Sequence, residues 1–251
     1  SEIAILGIMH LDMPLEFFVE RYRDIETFMR TEQVTEIGVF GDPPQLEDLQ
    51  EFTLEQSDFL AIKECEVGDC DVKLPASVME RLRQDIDWSA ADGQEQVETQ
   101  VRQVLVDYVS AYRSAGNASL GHYDDQKYPL SKADEFQELL QGFEFLYKYE
   151  PELHNYLSAY PQAHLPNAEN FIYWSQRRFE RIRPIVSIDH VTIFKGLTGN
   201  TKTLIASKQI YASHYFEASL ELSALVKLED GSGSSGFFLM YLNRSRLDSQ
   251  R

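Results

Sequence analysis

The stretch Lys208–Leu228, KQIYASHYFEASLELSALVKL, decides the fold, because apolar residues recur in it at every second position. One alternating set runs from Ile210 through Phe216 to Leu228, and the intervening positions carry mostly hydroxyl and carboxylate side chains. Successive side chains of a strand point to opposite faces of its sheet. The pattern therefore predicts one long strand, or two joined by a slight bend, with its apolar face inward. Ordinary strands have about five or six residues, so we expect a strongly twisted sheet that curls around a core or a ligand.

The strand pattern continues on both sides of this stretch. Three further alternating runs cover Pro184–Phe194, Lys202–Ser207 and Phe237–Leu247. Short turns join antiparallel neighbours, since parallel neighbours need a long crossover. We therefore predict an antiparallel meander over residues 184–248.

The N-terminal segment predicts two strands separated by a helix. Ile3–His10, IAILGIMH, is typical of a buried strand that is apolar on both faces, and Val34–Phe40 predicts a second strand. Between them, Pro14 supplies a helix-start signal, and apolar residues repeat at helical spacing through Met29. Both strands are expected to join the C-terminal strands in one curved sheet.

The middle of the chain, residues 75–180, is predicted to be a helical insertion or cover. Long amphipathic helices are expected over Asp92–Ala115 and Ser131–Tyr147. The segment Ala168–Phe179, AENFIYWSQRRF, is predicted as a last amphipathic helix. The fold class is therefore α+β, a curved antiparallel sheet packed against a helical middle section.

Length, composition and charge limit the classes of function that the protein can have. The 251 residues are 43% hydrophobic, which is enough for the packed core of a single α+β domain over residues 1–251. The excess of 41 acidic over 23 basic residues gives a net charge of −18. This charge repels phosphate backbones at long range, so we expect no nucleic-acid partner. No run reaches the roughly eighteen apolar residues of a transmembrane helix, so no integral membrane segment is expected.

The chain has two cysteines, Cys65 and Cys70, in the sequence CEVGDC. The intervening residues include Gly68 and Asp69 and can form a tight turn that brings the sulfur atoms together, so a disulfide is expected in an oxidising compartment. Free thiols and half of a metal site are the alternatives, and no further Cys or His lies nearby to complete a metal site. The disulfide, together with Ser1 in place of an initiator Met, predicts an exported, periplasmic or secreted protein whose signal peptide has been removed.

The opening of the chain, IMHLDMPLEFFVERYRDIETF at residues 8–28, resembles the START and polyketide-cyclase-like (SRPBCC, helix-grip) superfamily. In that superfamily a strand, a short Pro-containing turn and a helix precede a curved sheet. The resemblance implies a helix-grip-like fold that holds a lipid, sterol, polyketide or other apolar ligand between sheet and helix. No long C-terminal gripping helix follows Phe237–Leu247, so helices Asp92–Ala115 or Ser131–Tyr147 are expected to take its place.

Three short blocks carry a second resemblance: VGDCDVKL, IASKQIYASHYFEASL and YLNRSRLD. They resemble blocks of exported bacterial proteins that are uncharacterised, and this likeness implies no activity.

Histidines are the most informative candidate site residues. His214 falls on the predicted apolar face beside Phe216, where a buried imidazole needs hydrogen-bond partners and could handle a proton. The alternative is a structural histidine bonded to a tyrosine or to a backbone carbonyl. His190 would face His214 across a cavity if the two lay on neighbouring strands. No metal site is predicted from this pair.

Basic and aromatic residues complete the set of candidate ligand-binding residues: Lys208, Tyr211, Arg244 and Tyr173, in addition to His214, His190 and Phe216. Lys208, Tyr211 and Arg244 could present an anion or headgroup site at the open end of the sheet. A solvated outer face with cross-strand charge pairs is the alternative. Tyr173 belongs to an aromatic cluster that could line a pocket or form ordinary core.

The sequence predicts a soluble exported protein that binds an apolar, lipid-like small molecule between the sheet and the helices. No complete catalytic motif is present, so no catalytic residue is assigned, and no cofactor is predicted. One alternative is an enzyme of cyclase or hydrolase type that uses the same pocket. Another is an interaction or assembly module that recruits a protein partner through the acidic surface or an exposed sheet edge.

Overall fold

The computed structural model describes residues 1–195, 202–227 and 236–248. Its helices are α1 (Leu15–Arg23), α2 (Ile25–Met29), α3 (Gln56–Glu64), α4 (Ala76–Asp85), α5 (Gly93–Ala115), α6 (Lys132–Gln141), α7 (Glu144–Tyr149) and α8 (Pro151–Ser158). Its strands are β1 (Glu2–Leu11), β2 (Val34–Val39), β3 (His122–Tyr123), β4 (Leu130–Ser131), β5 (Ala168–Arg177), β6 (Ile185–Lys195), β7 (Lys202–Ala212), β8 (Phe216–Lys227) and β9 (Phe237–Leu247). Short 3₁₀ helices lie at Leu46–Leu49 and Gly116–Ser119.

Within the described residues, seven strands form one open antiparallel sheet in the order β1-β9-β8-β7-β6-β5-β2. Strands β3 and β4 form a separate small hairpin. The arrangement confirms the α+β class and a large antiparallel sheet that joins N-terminal and C-terminal strands. Consecutive strands β5 to β9 are neighbours, which is the meander that short turns produce.

The stretch from Lys208 forms a hairpin instead of one long strand. Strand β7 ends at Ala212 and β8 begins at Phe216, and the two strands pair with Lys208 opposite Leu220. Between them, Tyr215 has a φ of 62°, in the left-handed region, which helps the chain to reverse within a few residues. The turn has no Gly or Pro, and the apolar alternation continues across it, so the sequence pattern does not reveal it.

Both faces of the central strands are buried. On one face, Ile210 and Leu220 pack beneath the helices of the middle section. On the other face, Ile205 and Leu225 pack in a core that also contains residues of α1. The inward apolar face is as expected for these strands, and Lys208, two residues before Ile210, lies on it beneath the helices. The second face is also largely covered.

The segment Ala168–Phe179 is a strand, and its prediction as a helix is wrong. Strand β5 lies between β2 and β6, with Trp174 packed on the helical side and Tyr173 on the opposite side. A strand that is buried on both faces reads as an almost continuous apolar run, and such a run also fits one stripe of a helix. The helical cover over residues 75–180 therefore ends in a strand of the main sheet.

Strand β1 lies at an edge of the sheet and is not the buried strand that its apolar sequence predicts. It pairs with β9 on one side, and no other described strand pairs with it. Its side chains Ile5, Leu6 and Ile8 are exposed to 56%, 70% and 63%. An apolar strand therefore remains open to solvent on both faces.

Candidate functional site

A cavity of about 220 Å³ lies between the sheet and the helices of the middle section. Half of the residues that line it are aliphatic: Leu74, Pro75, Val78, Val101, Val104, Leu105 and Leu120. The other half carry polar groups: Tyr108, Tyr123, Tyr211, His122, Lys132, Arg81 and Asp107. Tyr211 was predicted as a ligand-binding residue, and it lies in this wall. Concave, mostly apolar cavities with a few fixed polar groups are the usual form of small-molecule sites.

The tyrosine hydroxyl groups of the cavity are fixed by main-chain hydrogen bonds. Tyr108 donates to the carbonyl oxygen of Ile210 at 2.5 Å. Tyr211 donates to the carbonyl oxygen of Lys73 at 3.3 Å. These bonds hold the aromatic rings in place, so the shape of the cavity is set before any ligand enters.

Lys132 reaches the cavity because a hairpin and a helix start meet there. The main-chain nitrogen of Lys132 donates to the carbonyl oxygen of Gly121 at 3.1 Å, and β3 pairs with β4 directly before helix α6. Ser131 caps the helix, its hydroxyl accepting from the Asp134 nitrogen at 3.3 Å. Lys132 is thus the first residue of α6, and its side chain is only 4% exposed.

The amine of Lys132 has a single side-chain partner among the described residues. Its Nζ donates to Tyr123 Oη at 2.7 Å and lies 4.3 Å from the centroid of that ring. Tyr123 Oη also accepts from the Ala212 nitrogen at 2.9 Å. No carboxylate within the described ranges forms an ion pair with Lys132. Lys73, by contrast, is paired with Asp248 at 2.6 Å.

The surroundings of Lys132 favour its neutral form. Burial, and then the positive charge of Lys73, lower the pKa of the Lys132 amine to about 7, while Asp189 acts weakly in the opposite direction. The start of α6 adds the partial positive charge of a helix N-terminus, which also disfavours a cation. The neutral amine is therefore far more accessible in Lys132 than in a solvated lysine.

The rim of the cavity is polar and joins two helices. Arg81 of α4 forms an ion pair with Asp107 of α5 at 3.7 Å, and both side chains are more than a third exposed. Arg81 also donates to Gln100 at 2.8 Å. Exposed ion pairs and hydrogen bonds of this kind contribute little stability, so they hold α4 and α5 together only weakly at the rim.

The disulfide between Cys65 and Cys70 is present, as the sequence predicts. The turn that it closes supports the cavity from outside. Gly68 donates its main-chain nitrogen to the carbonyl oxygen of Asp124 at 2.7 Å, and Cys70 donates to that of Asp125 at 2.9 Å. These bonds fix the segment directly after Tyr123, the partner of Lys132.

Lys208 is buried beneath the helices, outside the cavity wall. Its Nζ donates to Asn117 Oδ1 and lies 3.9 Å from the ring centroid of Phe136. Burial, and then the charge of Lys132, place the pKa of the Lys208 amine well below its usual range. Arg244, on β9, forms an ion pair with Glu2 and lies 5.5 Å from the ring centroid of Phe143. The structure thus gives Lys208, Tyr211 and Arg244 three separate surroundings.

His190 borders a second cleft, of about 600 Å³, between the sheet and helix α5. Its Nε2 donates to Asn170 Oδ1 at 3.0 Å, since an amide oxygen can only accept, and its Nδ1 lies 2.9 Å from Tyr112 Oη. Burial, and then the charges of Lys208 and Arg113, lower the pKa of His190 to about 3. The imidazole is therefore neutral, and both of its nitrogen atoms are engaged inside the protein.

His214 occupies the turn between β7 and β8. Its Nδ1 donates to the carbonyl oxygen of Asp71 at 2.9 Å, and its Nε2 lies 3.2 Å from Asp58 Oδ1. Phe216 begins β8 and donates its main-chain nitrogen to the His214 carbonyl oxygen at 2.7 Å. These contacts tie the turn to the chain around α3, and none of them is shared with His190.

Tyr173 lies on the face of the sheet opposite the cavity, beside a group of buried polar residues. Its directly paired neighbour on β6 is Asp189, which accepts from Ser187 at 2.9 Å. Burial raises the pKa of Asp189 to about 6, and the charge of Arg177 opposes this rise. Tyr173 therefore cannot contact a ligand in the cavity, because the sheet separates them.

Sequence reasoning found Tyr211 but not Lys132, Tyr108 or Tyr123. Tyr108 looks like an ordinary core residue, since it repeats with aliphatic neighbours along a helix, and Tyr123 lies in the polar stretch GHYDDQKY, which looks like a loop. Lys132 carried one local signal, because a lysine in the first turn of a helix opposes the helix dipole. Such a mismatch between a residue and its position often marks a functional or strained site.

Comparison with known proteins gives no family: the chain matches no protein-family model and no curated protein sequence.

Two further features, a membrane-spanning helix and a metal-binding cluster, are absent from the described residues. None of the helices there is long and apolar enough to cross a membrane. No group of three or more His, Cys, Asp or Glu side chains in the same residues is placed to hold a metal ion.

Proposed function

We propose that the protein binds a small apolar molecule in the cavity between the sheet and helices α4 to α6. The observation that carries this proposal is the cavity itself, about 220 Å³ of space between the sheet and the helices with a mostly apolar wall. Burial of apolar ligand surface contributes about 25 cal/mol per Å² to binding. The tyrosine hydroxyl groups already bond to the main chain, so a ligand needs few polar groups of its own.

The volume selects the size of the ligand. An engineered cavity of roughly 150 Å³ in another protein binds benzene, so a cavity of about 220 Å³ fits one substituted ring or a short alkyl chain. Within the lipid-like class expected from the sequence, we propose the smallest members, in place of sterols or long-chain lipids. The proposed fold is a helix-grip variant in which the helices of the middle section cover the sheet.

Native mass spectrometry of the purified protein, followed by organic extraction, tests whether an apolar molecule co-purifies. A titration with benzyl alcohol, followed by calorimetry, tests the cavity directly. Val104 lines the cavity and Val67 is exposed elsewhere, so Val104→Phe and Val67→Phe form a matched pair. We expect Val104→Phe to weaken binding at least about 10-fold by filling the space, equivalent to about 1.4 kcal/mol. Equal affinities for the two variants would place the alcohol outside the cavity.

A second candidate function is assembly through β1, with a second copy of the chain as the partner. The outer edge of β1 is unpaired within the described residues, and Ile5, Leu6 and Ile8 are exposed. Backbone groups on such an edge accept another strand. A two-fold axis at β1 would set the strand against itself in antiparallel orientation, and no charged residue lies between Ile3 and Met9 to oppose this pairing.

Light scattering at increasing protein concentration tests this assembly. Leu6→Lys places a charge in the edge strand, and Leu60→Lys places the same charge on the exposed leucine of α3. We expect the unaltered protein and Leu60→Lys to dimerise and Leu6→Lys to stay monomeric. A monomeric unaltered protein at the highest concentration would rule the assembly out.

A further inference from the structure

Lys132 is a buried lysine in the wall of a cavity that is otherwise largely apolar and aromatic. Burying a lysine costs free energy, and the two other buried lysines are compensated differently. Lys73 is paired with Asp248 at 2.6 Å, and Lys208 donates to the amide oxygen of Asn117 outside the cavity. Among the described residues Lys132 has only the hydroxyl of Tyr123, and it is the buried lysine that lines the cavity. A methionine would fill the same space at lower cost.

We propose that Lys132 is a nucleophile that captures a small apolar aldehyde or ketone in this cavity as a Schiff base. This inference rests on the proposed binding function and names the ligand class. A desolvated lysine in an apolar pocket is the usual form of a nucleophilic amine. The lowered pKa of Lys132 supports the geometry, because only the neutral amine has a lone pair for attack.

The reaction needs no group beyond the amine and the carbonyl compound. The Nζ lone pair attacks the carbonyl carbon and forms a C–N bond, while the carbonyl oxygen gains a proton and the nitrogen loses one. The resulting carbinolamine then loses its hydroxyl group and a second nitrogen proton as water, which leaves the C=N bond of the imine. Neither partner is oxidised or reduced. Tyr123 Oη, 2.7 Å from Nζ, is placed to carry protons between nitrogen and oxygen in both stages.

The structure favours a carbonyl compound over an apolar carboxylate. A carboxylate would require Lys132 as a cation, which burial, the Lys73 charge and the start of helix α6 all disfavour. It would also have to enter a protein whose net charge is −18. A neutral aldehyde needs no lysine cation and is not repelled by the negative net charge of the protein.

Reductive trapping tests the inference on the intact protein. The protein is incubated with benzaldehyde and sodium cyanoborohydride at neutral pH, and the modified lysine is located by peptide mass spectrometry. We expect one benzyl group per chain, on Lys132, formed on the order of 100-fold faster than on any solvated lysine, because an ordinary lysine is almost fully protonated at this pH. Lys132→Met should abolish the rapid modification. Lys208→Met should leave it in place.

Binding of benzyl alcohol, which has the same ring but no carbonyl carbon, separates the two proposals. If the alcohol binds to the unaltered protein and to Lys132→Met, but benzaldehyde is not trapped on Lys132, the nucleophile is refuted and the binding function stands. If neither compound binds, both proposals fall. Modification spread evenly over the surface lysines also refutes the nucleophile. Should Lys132→Met not fold, peptide mapping of the unaltered protein decides the site alone.

Discussion

Lys132 and Lys208 are buried on the same side of the sheet, and burial is the main reason why the pKa of each amine is lowered. An unfolded lysine keeps its proton up to its ordinary pKa of 10.5, whereas folded Lys132 loses it near 7. Between these values the unfolded state binds more protons, so the free energy of unfolding rises with pH. Lys132 thus penalises the folded state most at and below neutral pH, and this penalty disappears as the pH rises toward 10.5.

We therefore expect Lys132→Met to be more stable than the unaltered protein at neutral pH and to lose that advantage as the pH rises. The difference should shrink by up to about 1.4 kcal/mol per pH unit. Urea denaturation at several pH values between about 7 and about 10 measures it. The charges of Lys73, Asp189 and Lys208 are coupled to this amine, so the measured pH dependence reports Lys132 together with these neighbours. A constant difference across this range would mean that Lys132 titrates as an exposed lysine does.

At the scale of single residues, the sequence showed which side chains sit in alternating strands but not what surrounds them. The alternation predicts His214 on the apolar face, and Lys208 is predicted in a polar anion site at the end of the sheet, but both are buried. Their partners, Asp58 and Asn117, lie far away in the chain. Lys132 was missed because its burial depends on the β3–β4 hairpin, whose two-residue strands leave almost no periodic signal.

Helix α5 ends at Gly116, where both the backbone conformation and a close neighbouring carbonyl group exclude a side chain. Gly116 has a φ of 59°, and a Cβ there would lie 1.8 Å from the Tyr160 carbonyl oxygen. Asn117 donates its main-chain nitrogen to that same oxygen at 3.2 Å. The end of α5 is therefore held directly against the turn that follows α8, in which Tyr160 stacks on Tyr112.

Gly121 provides a matched control for this contact. Its φ is 69°, but a Cβ there would meet nothing within 4 Å. We expect Gly121→Ala to cost about 1 kcal/mol from backbone strain alone. Gly116→Ala should cost at least about 3 kcal/mol, because a φ of 59° with a ψ of −132° lies outside the left-handed helical well and steric overlap adds to this strain. Urea denaturation of both variants measures the difference, and similar losses would show that the neighbouring turn moves away without cost.

Among the elements, the antiparallel meander was predictable, and β5 was not. Strands β6 to β9 carry alternation or β-branched runs between turns, and these signals are local. Strand β5 is buried on both faces, so its aromatic run fits a helix as well as a strand. Its identity depends on pairing with β2 and β6, and a single segment does not show its partners.

In the whole molecule, the N-terminal segment supplies both edges of the sheet. Strand β1 pairs with β9 at one edge, and β2 pairs with β5 at the other. Helix α1, which connects them, packs with Leu15 and Val19 against the face opposite the cavity. The sequence predicted both strands and the helix but not their placement, because Glu2 pairs with Arg246 and no local pattern encodes so distant a contact.

The pairing of β1 with β9 also delays completion of the sheet until β9 has been synthesised. A ribosome makes β1 first and β9 last, and at about 5–20 residues per second the interval is roughly 10 to 50 seconds. Throughout that interval, the apolar run Ile3–Met9 has no strand to pair with, and the ordered sheet cannot be completed. Until β9 has been made, the nascent chain therefore exposes an apolar segment. We expect factors that shield apolar segments of growing chains to bind it during this interval.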